Sequence, residues 1–150
     1  MQITTARYQN HSAIVASGLT PVRITLGAPR MRLPYAYGAM RELAPTRDIF
    51  HLPDDQFDRR YVEILEGVGV DRIRDRFTDL AGDSPGLVLL CFEDLRVDGP
   101  NGCHRRVFAR WWMARTGDLI TELEETTGPP KARRSPPRKG GGPGPQLSLL

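Results

Sequence analysis

Two cysteines are the residues of this chain that are best suited to carry out chemistry. Glu93 stands two positions after Cys91, and His104 and Arg105 directly follow Cys103. A cysteine becomes a nucleophile as its thiolate, which nearby positive charge or the N-terminus of a helix stabilises. Glu93 or His104 could carry protons for such a nucleophile. The pattern therefore predicts a catalytic group made of Cys103, Glu93, His104, Arg105 and Cys91.

Three other roles stay open for the same segment. Cys91 could be a small buried side chain of a core strand. The backbone N–H groups at the start of the next helix could hold a phosphate or carboxylate, since Gly102 allows close approach. Zinc is a further alternative, with Cys91, Cys103 and His104 as ligands and Glu93 nearby. No cofactor is favoured, because this spacing matches no standard zinc pattern and the Pro-Cys-x-x-Cys signature of nucleobase deaminases is absent.

The elements that must position these residues follow from hydrophobic periodicity. The apolar run 87–92 predicts a central parallel strand that is buried on both faces. Strands that alternate with helices predict one α/β domain of three layers, a mostly parallel sheet with flanking helices. The predicted strands are 2–5, 22–26, 87–92 and 119–123, and the predicted helices are 12–17, 57–68, 73–80 and one that begins at Cys103.

Polar residues follow the predicted strands, at the edge of the sheet where ligands of open α/β folds collect. Two arginines on the last helix, four residues apart, repel each other unless an anion lies near them, although they could also be solvated surface. The irregular segment 27–54 is long enough to cover a site at this edge. The predicted substrate-binding or anion-binding residues are Arg7, Tyr8, Thr25, Arg30, Arg106 and Arg110.

Several segments resemble the domain-of-unknown-function family numbered 488. The resemblance covers about residues 1–123, and it implies an α/β fold without supplying a reaction. It also implies a site formed by Arg7, Arg30, Cys91, Glu93, Cys103, His104 and Arg105. The matching segments are Thr5-Ala6-Arg7-Tyr8, Ile24-Thr25-Leu26-Gly27-x-Pro29-Arg30, Leu43-Ala44-Pro45, Leu89-Leu90-Cys91-Phe92-Glu93 and Cys103-His104-Arg105-Arg106.

Composition divides the 150 residues into a domain and a tail. The net charge of the whole chain is +3, but residues 1–125 are slightly acidic. They contain 16 arginines, no lysine and 18 acidic residues. Between Gly128 and Pro145, 11 of 18 residues are glycine or proline and five are basic. Such a stretch buries too little apolar surface to order itself. We therefore predict a globular domain over 1–125 and a disordered basic linker over 126–145, which could hold a nucleic-acid backbone weakly.

The final segment, 146–150, predicts a docking peptide. Exposed leucines beyond a linker would favour aggregation unless a groove on a partner binds them. The peptide resembles the motif with which bacterial replication and repair proteins bind the sliding clamp, although that motif usually ends in Phe where this chain has Leu150. The predicted docking residues are Gln146, Leu147, Leu149 and Leu150.

These features together predict a nucleic-acid-processing or DNA-repair-associated enzyme that acts on a nucleotide or modified base. Its activity would resemble that of a hydrolase or glycosylase, and the sliding clamp would recruit it. A non-catalytic adaptor that binds DNA or protein, and a metal-dependent hydrolase, are the alternatives. The chain has no run of ~18 apolar residues and no basic segment followed by an apolar run at its start, so we expect no membrane contact and a cytoplasmic location.

Overall fold

The computed structural model describes residues 1–98 and 103–130 of the chain. Its centre is a parallel sheet of five strands in the order β3-β2-β4-β1-β5. The strands are β1 (Gln2–Arg7), β2 (Thr20–Arg23), β3 (Gly38–Ala39), β4 (Gly86–Cys91) and β5 (Thr121–Glu122). The helices are α1 (His11–Ser17), α2 (Asp54–Val68), α3 (Val70–Ala81), α4 (Leu95–Asp98) and α5 (His104–Thr116), with 3₁₀ turns at Arg41–Leu43 and Arg47–Ile49.

The predicted central strand is confirmed as β4. All six of its residues are buried, and it pairs with β1 on one side and β2 on the other. A strand between two others needs apolar side chains on both faces, which this run supplies. The strand ends at Cys91, one residue earlier than predicted, and Phe92 is 43% exposed. The polar residues that follow β4 therefore begin where the sheet ends.

Helices cover both faces of the sheet, which confirms the α/β fold. Leu87, Leu89 and Cys91 face one core, which also contains the buried side chains of α2, α3 and α5. Val88 and Leu90 face a second, smaller core with Ile14 of α1. This alternation along β4 follows from the two-residue period of a strand. Because α5 packs against the Cys91 face, its first residues lie beside the end of β4.

Close contact between β1 and β4 aligns their carboxyl ends. Gly86 lies opposite Gln2, and a Cβ atom on Gly86 would lie 1.8 Å from the Gln2 carbonyl oxygen. Only glycine fits this position without a shift of the backbone. From this starting pair the register runs to Arg7 opposite Cys91. The residues that follow both strands therefore leave the sheet at the same level.

The irregular connections differ most from the predictions. β2 is three residues shorter at its end than predicted, and the Thr25 hydroxyl donates a hydrogen bond to the Gly27 carbonyl (2.6 Å) in the turn that follows. The connection between β4 and α5 contains α4, a short helix that was not predicted. Hydrogen bonds of the domain also continue past residue 125, since Thr126 donates to the side chain of Asn10.

The part of the predicted linker over 131–145 and the predicted docking residues Gln146, Leu147, Leu149 and Leu150 lie outside the described residues. Within the described part of the chain, no helix has both the length and the apolar character that crossing a membrane requires.

Candidate active site

The cysteine-containing segments meet where β4 ends and α5 begins. Cys91 is the last residue of β4, Cys103 is the N-cap residue of α5, and His104 is the first residue of that helix. All three are buried. A hydrogen bond joins the Cys103 sulfur and Oε2 of Glu93, with 3.0 Å between the two atoms. The structure thus brings together four of the five residues that the sequence predicted to form one group.

Arg105 fixes the sulfur of Cys103 from the other side. Its NH1 group donates to the Cys103 sulfur at 3.2 Å. The arginine is fully buried, and its Nε and NH2 groups donate to the two carboxylate oxygens of Glu122 at 2.9 Å and 2.7 Å. A bidentate pair of this kind holds the guanidinium in one plane. Glu122 therefore orients Arg105, and Arg105 orients the sulfur.

His104 is held in one orientation by its surroundings. Its Nε2 atom lies 2.8 Å from the carbonyl oxygen of Ile24, which can only accept, so Nε2 carries a proton and donates it. The edge of the ring meets the Tyr61 ring at a centroid distance of 5.4 Å. The Cys91 sulfur lies 3.4 Å from Nε2 and 3.8 Å from Nδ1. In the neutral imidazole, Nδ1 is therefore the nitrogen with a free lone pair.

The two sulfurs differ in their preferred protonation state. Burial raises the pKa of the Cys91 thiol well above its ordinary value, and the neighbouring Cys103 sulfur acts in the same direction. Burial also opposes ionisation of Cys103, but hydrogen bonds from Cys91 and His104 and the charges of His104 and Arg105 outweigh it. The pKa of Cys103 lies well below its ordinary value as a result. Cys103 is thus the sulfur of the pair that ionises more readily.

The groups beside Cys103 favour their protonated forms. Burial raises the pKa of the Glu93 carboxyl to about 7, and the charge of the Cys103 sulfur adds to the effect. Burial lowers the pKa of His104, but the interaction with Cys103 outweighs it and raises the pKa above the usual value. A proton acceptor or donor therefore stands directly beside the sulfur.

Cys103 and Glu93 open onto a small pocket. Its volume is about 170 Å³, below the ~300–1,000 Å³ of pockets for drug-sized ligands. Its polar wall is acidic, and no arginine or lysine of the described residues lines it. Its apolar wall includes two phenylalanine rings. The lining residues are Phe50, Leu52, Asp54, Phe57, Asp58, Glu93, Cys103 and His104.

Tyr8 and Thr25, predicted to bind substrate, are instead buried and bonded to each other. Their hydroxyl oxygens lie 2.5 Å apart, and Thr25 donates onward to Gly27, so Tyr8 is the donor of the pair. Burial raises the pKa of the Tyr8 hydroxyl far above its usual value. The Tyr8 ring packs against Phe92 at a centroid distance of 4.8 Å. The hydrogen bond between Tyr8 and Thr25 links the ends of β1 and β2, and neither residue lines the pocket.

The predicted anion-binding arginines also lie outside the pocket lining, and three of them have protein partners. Arg7 is paired with Glu125 at 2.9 Å. Arg106 donates to the Thr5 hydroxyl at 3.1 Å, and Arg110 lies 3.6 Å from the carboxylate of Asp58. Arg30 is exposed and has no hydrogen bond or ion pair with any described residue. The structure thus does not bring these four arginines into the site around Cys103.

Sequence reasoning missed most of the pocket wall. Asp54, Phe57 and Asp58 lie in the first turns of α2, a helix from which no site residue was predicted. Phe50 and Leu52 come from the irregular segment before it, whose length did predict that it covers a site. Glu122, the partner of Arg105, was missed because it lies 17 residues away on a two-residue strand.

Cys91, Cys103 and His104 also form a group of potential metal ligands. One ligand atom from each residue lies within 4.8 Å of the others, and all three residues are buried. Comparison of the chain with protein-family models, curated proteins and solved structures found no match in any of the three. The resemblance to the family numbered 488 therefore stays a prediction.

Proposed function

We propose that this chain is a cytoplasmic enzyme that acts on a nucleotide or modified base, with the sulfur of Cys103 as its nucleophile. The proposal depends on one observation. The Cys103 sulfur lies between the Glu93 carboxylate at 3.0 Å and the Arg105 guanidinium at 3.2 Å, and it borders a pocket. A sulfur with a proton carrier on one side and a fixed positive charge on the other suits nucleophilic catalysis.

The pocket wall favours a flat ring with amino groups. Phe50 and Phe57 offer aromatic surfaces for stacking, which is tolerant of ring identity. Asp54, Asp58 and Glu93 accept hydrogen bonds from amino and ring N–H groups. A nucleobase meets both requirements. A phosphate would be repelled by these carboxylates, so the phosphate of a nucleotide would lie outside the pocket.

Cys103, Glu93 and Arg105 have different roles in the proposed reaction. The Cys103 thiolate adds to an electron-poor ring carbon, which forms a C–S bond and moves an electron pair onto the ring. Glu93, which holds a proton beside the thiolate, gives it to a leaving group on the same carbon, such as an amino group, and that group departs as the electron pair returns from the ring. The Glu93 carboxylate then takes a proton from water, whose oxygen adds to the same carbon. The C–S bond breaks, the hydrolysed base leaves, and the Cys103 thiolate and the Glu93 proton are restored. Arg105 does not line the pocket and acts as a positioning residue, since Glu122 holds it against the sulfur.

Recruitment to nucleic acid is supported by the sequence of the tail alone. The basic residues between 131 and 139 suit a phosphate backbone. The leucine-rich peptide of 146–150 suits a groove on the sliding clamp. Together they would deliver the pocket to bases in DNA, which must leave the stack to enter a pocket this small.

The test compares three variants of chelator-treated protein on free nucleobases and on single-stranded oligonucleotides with normal and modified bases. Cys103→Ser and Glu93→Gln are the test variants, and Glu63→Gln is the matched control, because Glu63 is exposed. Mass spectrometry measures the products. We expect Glu93→Gln to reduce turnover by ~10²–10⁴-fold and Cys103→Ser to abolish it. Wild-type turnover in both variants would refute the catalytic roles of Cys103 and Glu93, and no turnover by the wild type on any base would favour the adaptor alternative.

A further inference from the structure

We propose that Cys91, Cys103 and His104 together bind one zinc ion. Zinc–ligand bonds of ~2.3 Å to sulfur and ~2.0–2.1 Å to nitrogen place two ligands of a tetrahedral ion about 3.4–3.8 Å apart. The Cys91 sulfur already lies 3.8 Å from Nδ1 of His104. All three ligand atoms lie within 4.8 Å of one another. Small side-chain movements would therefore complete the ligand set.

Neighbouring groups already orient the ligands as a metal site requires. Metal-binding histidines usually donate their second ring nitrogen to a carbonyl or carboxylate. The Nε2 atom of His104 does so to Ile24, which leaves Nδ1 as the ligand atom. Arg105 donates to the Cys103 sulfur, and Glu122 holds the arginine in turn. Such bonds stabilise a thiolate ligand and fix its direction.

The chemistry of the ligands selects the kind of metal. Two sulfurs and an imidazole are soft ligands that favour zinc over magnesium or calcium. The pocket gives an entry path, because Cys103 and His104 line it. Glu93, with Oε2 at 3.0 Å from the Cys103 sulfur, stands on the pocket side, where the fourth ligand would be a carboxylate oxygen or water. As the Zn–S bonds form, any proton that a sulfur still carries is released to solvent.

Zinc and nucleophilic chemistry would compete for Cys103. A sulfur that donates its lone pair to zinc attacks a substrate poorly, so zinc would inhibit the thiol reaction proposed above. The zinc site itself depends only on the positions of the three ligands and not on that reaction. Metal binding and base turnover can therefore be measured separately, and either proposal can fail while the other holds.

Metal-free protein is titrated with Zn²⁺ and with Co²⁺, whose thiolate charge-transfer absorption reports sulfur ligands. We expect one ion per chain, that absorption band, and protection of both cysteines from iodoacetamide. Cys91→Ser and His104→Gln should weaken binding by more than the ~10–100-fold that changes around a metal site cost. His51→Gln is the matched control, since His51 is an exposed histidine, and it should bind as wild type does.

The wild-type measurements decide the matter even if a ligand variant fails to fold, which circular dichroism would reveal. No thiolate band with Co²⁺ and no protection of the cysteines by Zn²⁺ would overturn the zinc site. Equal binding by wild type and a folded Cys91→Ser variant would overturn it as well. Zinc binding in a protein without turnover on any base would leave the site in place and count against the proposed reaction alone.

Discussion

The sulfur of Cys103 lies 3.0 Å from Oε2 of Glu93, although neither residue belongs to a strand or to the interior of a helix. Glu93 follows β4, and Cys103 caps the N-terminus of α5. Their contact exists because α5 packs on the sheet face to which Cys91 points. The pair is therefore a product of tertiary packing, and its chemistry can be tested at each residue.

Glu93→Gln should leave the thiol of Cys103 at least as reactive as in the wild type while turnover falls. A charged carboxylate beside the sulfur opposes thiolate formation, and an amide does not. Alkylation of chelator-treated protein by iodoacetamide at neutral pH, followed by intact mass, measures the rate. Glu63→Gln is the control. A tenfold slower alkylation in Glu93→Gln alone would show that the carboxylate is needed to generate the thiolate.

Glu122→Gln should destabilise the domain by about 3 kcal/mol, the lower end of the range for a buried charge that loses its partner. Arg105 is fully buried, whereas the Glu122 side chain is 27% exposed, which moderates the loss. Urea unfolding measures the change. Asp48→Asn is the control, because the Asp48–Arg60 pair is exposed at both ends and should contribute little. Equal effects of the two substitutions would contradict the structural role assigned to Arg105.

Sequence patterns predicted the parts of the site that are determined locally. The apolar run ends at Phe92 and the strand one residue earlier, because a strand buried on both faces cannot continue into Glu93. The helix predicted to begin at Cys103 begins at the next residue, with Cys103 as its N-cap. Both positions depend on neighbouring residues alone, so periodicity was enough to place them.

The sequence could not predict which carboxylate each arginine pairs with, because the pairing depends on strand register and packing. Arg7 was predicted to bind an anion, but β5 and the residues after it bring Glu125 to its side chain. Arg105 likewise meets Glu122 only once β5 pairs with β1. Sequence alone reveals the charges of these arginines and not the carboxylates that neutralise them.

Gly86→Ala should destabilise the domain by about 1–3 kcal/mol or more, as expected when a packed site receives an extra carbon. The new Cβ would lie 1.8 Å from the Gln2 carbonyl oxygen, so β1 and β4 must separate. Thermal unfolding measures the effect. Gly67→Ala is the control: it lies within α2 with nothing within 4 Å of the new atom, and it should stabilise the helix by roughly 0.5–1 kcal/mol. Wild-type stability of Gly86→Ala would mean that the strands are not in this register.

Glu125→Gln should remove part of the acid sensitivity of the fold. Burial alone would raise the pKa of Glu125, but hydrogen bonds from Arg7 and Thr127 and the charge of Arg7 outweigh it and lower the pKa below its ordinary 4.5. A carboxyl whose pKa is lowered by folding stabilises the fold at pH values above its pKa in the unfolded chain. That stabilisation is lost as the pH falls through its pKa in the folded protein.

Denaturant unfolding of the wild type and Glu125→Gln at several pH values checks this sign. The two proteins should differ most at neutral pH and converge as the pH falls below 4.5. Glu124→Gln is the control, since the adjacent Glu124 is exposed. A constant difference between Glu125→Gln and wild type at all pH values would show that the carboxylate charge of Glu125 does not stabilise the fold.

Substitution of both Leu149 and Leu150 by alanine should abolish capture of the chain by immobilised bacterial sliding clamp. Each buried leucine contributes about 1.5–3 kcal/mol, so loss of two should weaken binding by more than ~100-fold. Ser148→Ala is the control, because serine lies between the leucines and adds little apolar surface. Surface plasmon resonance gives both affinities. Undiminished capture of the double variant would exclude the leucines as the docking contact, and no capture of the wild type would exclude the clamp as partner.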